Sequence, residues 1–132
     1  MTRKVKVYLS DLLNSHPDAN LLTEKFALYK ETGIPPDDFG RDGDNRYPLI
    51  CLQEEVHHIH LAHLPIHFRK WPKIRAQYER KSDKALLYCP GFFDSDSYLL
   101  IAVLEPPAHD QQESNELMEA VGQIAESFRL EN

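Results

Sequence analysis

Five of the chain's seven histidines fall within twelve residues, Val56–His67, which read V-H-H-I-H-L-A-H-L-P-I-H. Three kinds of chemistry suit such a cluster. Two imidazoles on one strand face, His58 and His60, could join an acidic partner around zinc or iron. The spacing names no third ligand, however, and there is no H-E-x-x-H run. Imidazoles could also act as base and acid, since they exchange protons near neutral pH. RNA is cut without a metal when a base takes the 2′-OH proton, an acid protonates the leaving 5′-oxygen and cations hold the phosphate. The third option is that the histidines are hydrogen-bonded or solvent-facing residues with no chemistry. This is the expectation for at least three of the five.

The histidines run directly into a basic strip. His67–Lys84 carries Arg69, Lys70, Lys73, Arg75, Arg80, Lys81 and Lys84 against Glu79 and Asp83, in a chain whose net charge is −6. A basic strip on an acidic protein predicts one surface that meets a polyanion; a merely solvated face is the competing reading. The acidic excess gathers after His109, in Asp110, Glu113, Glu116, Glu119, Glu126 and Glu131. His109 itself follows the run L-E-P-P-A-H-D, at the exit of an apolar segment. It reads equally as a residue lining a site and as a plain loop residue.

These residues need elements to place them. R-K-V-K-V-Y-L alternates as a half-buried strand. A helix follows from Asp18 or Asn20, with Leu22, Phe26 and Tyr29 along one side, and Gly33 and Pro35–Pro36 stop it. Residues 35–48 are rich in Gly and Asp and read as a loop, and P-L-I-C-L-Q as a short strand. Alternation across Val56–Leu64 puts His57, Ile59, Leu61 and His63 on one face and His58, His60, Ala62 and Leu64 on the other. Neither face is uniformly apolar, which predicts an edge strand or one over a groove. A helical alignment of His60, His63 and His67 is the weaker reading, because Pro65 interrupts it.

A short helix is expected near Lys73–Glu79. K-A-L-L-Y-C and Y-L-L-I-A-V-L-E form a hairpin around G-F-F-D-S-D-S, the second strand covered on both faces. A final helix starts at Ser114 and carries Leu117, Val121, Ile124, Ala125 and Phe128 as its stripe, with Met118 beside it. The 132 residues therefore predict one α+β domain, 1–132, with an antiparallel sheet and N- and C-terminal helices packed on it. Cys51 and Cys89 lack C-x-x-C partners and read as buried thiols. No apolar run approaches membrane-spanning length, and the start, broken by Lys6, does not read as an export signal. The expectation is a cytoplasmic protein.

Several blocks, in order, resemble the YafO family of type II toxins. They are P-P-D-D-F-G-R-D (35–42), Y-P-L-I (47–50), H-I-H-L-A (58–62), L-L-Y-C-P-G-F-F-D (86–94), Y-L-L-I-A-V-L-E-P (98–106) with His109, and I-A-E-S-F-R (124–129). The likeness runs from about Leu21 to the C-terminus. It implies a ribosome-dependent mRNA interferase, a metal-independent endoribonuclease with no cofactor, whose partners are the ribosome, mRNA and a cognate antitoxin. It also implies a RelE/ParE-type toxin fold, in which a few side chains on the sheet do the chemistry.

Carried onto this chain, the resemblance makes His58, His60, His109, Asp42 and Tyr88 the catalytic candidates. His60 would be base or acid, His109 its complement, and Asp42 would orient an imidazole. Arg41, Arg69, Lys70, Lys73, Arg75, Arg80 and Lys81 are the RNA-binding candidates, with Arg75 or Arg80 on the phosphate. No metal ligand is expected. A metal-dependent hydrolase and a non-catalytic RNA- or protein-binding module are the alternatives.

Overall fold

The computed structural model describes residues 3–132; the first two residues of the expected domain lie outside them. The chain forms β1 (Lys6–Leu9), α1 (Ala19–Thr32), β2 (Phe39–Asp44), α2 (Leu49–Gln53), β3 (His57–Leu61), α3 (Pro65–Lys70), β4 (Ala85–Pro90), β5 (Ser97–Leu104), α4 (Ala108–Gln112) and α5 (Asn115–Glu131). The five strands make one sheet in the order β1-β5-β4-β3-β2.

The domain is α+β, but the sheet is mixed. β1 pairs parallel with β5, and the other three pairings are antiparallel. Local alternation cannot reveal this, because the partner of β1 lies some ninety residues away (Lys6 pairs Ser97).

Each face of the sheet has its own core. On one, Leu22, Phe26 and Tyr29 of α1 pack on Phe39, Ile59, Leu61, Leu86, Tyr88 and Leu100. On the other, Met118, Val121 and Ala125 of α5 cover Ala85, Leu87, Cys89, Leu99 and Ile101. β4 and β5 thus send alternate side chains into two apolar layers, which explains their unbroken hydrophobicity. Gly33, with φ 75°, ends α1 in the left-handed conformation, and the Ser114 hydroxyl accepts the Leu117 N–H to cap α5.

The middle of the chain departs from expectation. Residues 39–44, read as loop, form edge strand β2, and β3 is therefore internal. Apart from Phe39, F-G-R-D-G-D lacks strand-forming residues, so the pairing with β3 must supply its conformation, with an irregularity between Phe39 and Asp42. P-L-I-C-L-Q is helix α2 and not a strand: Cys51 is fully buried against α5, its thiol 3.2 Å from the Met118 carbonyl. A short apolar run fits either element until its packing partner is known. The helix expected near Lys73–Glu79 is replaced by α3 and two single turns, Trp71–Lys73 and Gln77–Glu79. Pro65 starts α3, where its missing N–H costs nothing.

Both cysteines are free and buried; burial first, then Glu119, pushes the Cys51 thiol to about 11. No described helix is long and apolar enough to cross a membrane.

Candidate active site

His58 pairs with Leu87 and His60 with Ala85, so both imidazoles stand on the α5 face of the sheet. Their rings lie 5.6 Å apart. They line a cleft of about 550 Å³ together with Asn45, Arg46, Ser82, His109, Gln112 and Glu113. Two of the three sequence-predicted histidines come from one strand, and His109 reaches the rim from α4.

The hydrogen bonds fix opposite tautomers in the two strand histidines. His60 Nδ1 accepts the backbone N–H of Ser82 at 2.9 Å, so its proton sits on Nε2. His58 Nδ1 lies 2.8 Å from Asn45 Oδ1. Asn45 is oriented by its own amide group, which donates to Gln112 Oε1 at 3.0 Å. Asn45 therefore presents an acceptor, His58 donates from Nδ1, and His58 Nε2 keeps its lone pair. Opposite His58 in β2 is Gly43, where a Cβ would stand 3.7 Å from Nε2; its absence keeps that edge of the ring open.

Both imidazoles are held below their ordinary pKa. Burial holds the His58 pKa below the ordinary imidazole value, with Asp42 opposing it. Burial, then His58, Arg41 and Lys81, pushes His60 down to about 4. His109 is exposed, its Nε2 3.3 Å from the Glu113 carboxylate, while its backbone N–H is held by Asp83 at 2.8 Å. The cleft can thus offer a lone pair from His58, an N–H from His60, a rim imidazole and one cation, Arg46.

The other candidates lie elsewhere. Asp42 and Tyr88 face α1, on the far side of the sheet, in a second cleft of about 420 Å³ with Tyr29, Lys30, Arg41, His57, Gln77 and Tyr78. Tyr88 donates to Asp42 at 2.8 Å and Tyr29 at 2.7 Å, while Lys30 donates to the Tyr88 hydroxyl at 3.0 Å. Burial, then the Asp42 charge, raises both phenol pKa values, so these hydroxyls remain donors. Asp42 is saturated by this knot and makes no hydrogen bond to an imidazole among the described residues.

Arg80, expected on the phosphate, is buried (7% exposed). Its guanidinium donates to the carbonyls of Ile74 at 2.9 Å and Phe39 at 3.2 Å, pinning the 70s segment to β2. Arg75 is exposed but does not line the histidine cleft. Arg69, Lys70, Lys73 and Lys81 are likewise exposed, the first two on α3, Lys73 on the turn after it and Lys81 just beyond the turn Gln77–Glu79. Arg41 lies at that edge with its guanidinium 3.7 Å over the Tyr78 ring.

Sequence reading missed Asn45, Arg46 and Ser82. The first two sit between the blocks F-G-R-D and Y-P-L-I, which was the one available signal. Two of the remaining histidines have local roles: His67 Nδ1 accepts the N–H groups of His63 and Leu64 at 3.1 Å, capping α3, and His57 stacks on Tyr88. No three His, Cys, Asp or Glu side chains are arranged to hold a metal among the described residues.

Residues 27–130 match the family described as Toxin YafO, type II toxin-antitoxin system. This chain belongs to the YafO toxin family. The YafO-family chain is 41% identical over 133 residues to the mRNA interferase toxin YafO of Escherichia coli (strain K12), covering 97% of this chain and 98% of that protein. No solved structure matches it. The family match takes in both clefts and all the YafO-like blocks that sequence reading picked out, from F-G-R-D to I-A-E-S-F-R.

Proposed function

We propose that this YafO-family toxin is an mRNA interferase, an endoribonuclease working from the histidine cleft. The observation that carries the activity is the near full-length likeness to a protein named as such. The opposite tautomers of His58 and His60 support the division of labour.

In this reading His58 Nε2 removes the 2′-OH proton, and the 2′-oxygen attacks phosphorus. The bond to the 5′-oxygen breaks as His109 protonates it, leaving a 2′,3′-cyclic phosphate and a 5′-hydroxyl. The neutral His60 Nε2–H and Arg46 bind the non-bridging oxygens as charge builds. A neutral imidazole suits this role, since it donates without being consumed as an acid. Asp42 and Tyr88 then brace β2 against α1 and do not meet the substrate, which revises the roles the resemblance implied for them.

Action on the ribosome reconciles the acidic net charge with an RNA substrate. Phosphate binding is driven by Lys and Arg, and a protein at −6 meets free RNA weakly. On the ribosome the message is already held, and exposed Arg69, Lys70, Lys73 and Arg75 need only dock. A cognate antitoxin, the partner that a type II system implies, would neutralise the toxin by covering the cleft or this strip. The cytoplasm, where translation occurs, is the matching location. The order strand, helix, sheet, helix also supports a RelE/ParE-type fold.

Primer extension on mRNA from a translating extract tests the function. Cuts are expected with ribosomes and not without them, and they should be lost in His58→Ala, His60→Ala and His109→Ala proteins that still fold. Uncut mRNA from an extract that the wild-type toxin arrests would refute it and favour a non-catalytic binding module.

A further inference from the structure

The segment after α3 links the two clefts along the outside of β2. The Tyr78 carbonyl accepts Arg41 Nε at 2.9 Å, the Arg80 carbonyl accepts the Arg41 backbone N–H at 2.8 Å, and Ser82 donates to His60. Gln77 pins the same segment from beneath, donating to the Gly40 carbonyl at 2.8 Å. The ridge is therefore held at four points over six residues, 77–82.

On this ridge Tyr78 is left 69% exposed. Its ring lies against the Arg41 guanidinium, and Lys81 Nζ stands 6.0 Å from its centroid. An exposed aromatic ring that packs on no core but is rigidly backed by a cation has the form of a stacking platform. Single-stranded nucleic acid is bound in this way, bases on aromatic faces and phosphates on adjacent cations. Tyr78 is four residues from Ser82, a separation of at most about 14 Å. A nucleotide beside one held at His58 and His60 falls within this reach.

We infer that Tyr78, backed by Arg41 and flanked by Lys81, is a base-stacking subsite for a nucleotide adjoining the cut, and that it contributes to the choice of cleavage position. Lys81 takes that nucleotide's phosphate. The subsite rests on the interferase reading above. Stacking tolerates any base, so it sets the register of the strand more than it reads sequence.

The test compares Tyr78→Phe, Tyr78→Trp and Tyr78→Leu in the translating extract, scored by primer extension, with circular dichroism as the folding control. Phe and Trp keep a stacking face and are expected within about twofold of wild type at the same positions. Leu keeps apolar bulk for Arg41 without a stacking face, and is expected to cut about 5- to 150-fold more slowly, with dispersed positions. Leu cutting like wild type, in rate and position, would overturn the subsite. The wild-type protein gives an independent check: message substituted with 4-thiouridine and irradiated on the ribosome should crosslink to the tryptic peptide of residues 76–80. A crosslink confined to other peptides would overturn the subsite too. If wild type cuts nothing, the interferase reading fails, a result distinct from either of these.

Discussion

Asn45 Oδ1 accepts the Nδ1 proton of His58 at 2.8 Å, and this bond leaves the other ring nitrogen free to act as a base. Asn45→Ala should therefore slow mRNA cleavage about 3- to 10-fold, the worth of one hydrogen bond that holds a tautomer. His58→Ala should cost about 10²- to 10⁴-fold, the range for losing a general base. Asn45→Asp restores the acceptor and adds a negative charge, which raises the His58 pKa. Its activity should return, with the acid limb of the pH–rate profile moved to higher pH. An unmoved profile would remove His58 from the base role.

His60 links pH to stability. Its folded pKa, near 4, lies below the ordinary imidazole value of about 6.5. Between these values the unfolded chain binds the proton more readily, so stability is intact above about pH 6.5 and falls as pH drops towards 4. For this residue alone, with solvent screening of the half-buried ring, the loss between pH 7 and pH 5 is on the order of 1 kcal/mol. Urea denaturation at the two pH values checks it; His60→Gln should flatten the dependence by about that amount.

The guanidinium of Arg80 is buried among backbone carbonyls, so its removal acts on folding. Arg80→Ala should destabilise the protein by about 2–4 kcal/mol, since charged hydrogen bonds are lost and carbonyls stranded. Exposed Arg75 should behave in the opposite way. Arg75→Ala should change stability by less than about 0.5 kcal/mol, yet weaken ribosome-dependent cleavage and reduce its sensitivity to added salt. Denaturation curves and cleavage across a salt series separate the two arginines.

His67 caps α3 through its side chain, accepting two backbone N–H groups. His67→Ala is expected to cost about 1 kcal/mol in denaturation, as other lost caps do. Cleavage in the translating extract should stay near wild type. A large loss of activity without a loss of stability would mean that the chemistry extends beyond the cleft of His58, His60 and His109.

Much of this protein is decided locally. Leu22, Phe26 and Tyr29 mark the buried side of α1, Gly33 ends it, Ser114 starts α5, and the hairpin of β4 and β5 follows from two apolar runs around a turn. Strand alternation alone puts His58 and His60 on one face, because side chains two apart in a strand point the same way. Residue type and order therefore determined the α+β class, the paired imidazoles and the family.

Only the tertiary structure decided the rest, because the forces involved act between residues distant in sequence. β1 becomes parallel through a partner some ninety positions away, and Gly- and Asp-rich residues 39–44 become a strand because β3 offers them a ladder. Asp42 and Tyr88 were placed with the histidines by likeness, yet the sheet lies between them, with Asp42 in register with Ile59 on the α1 side. Arg75 and Arg80 look alike in the sequence; one faces water and the other fills a hole lined by carbonyls. Which nitrogen of His58 or His60 carries the proton depends on Asn45 and on the backbone of Ser82, more than ten residues away in each case. Hydrogen-bond direction belongs to three-dimensional neighbours, so a sequence can nominate an imidazole but its fold assigns the role.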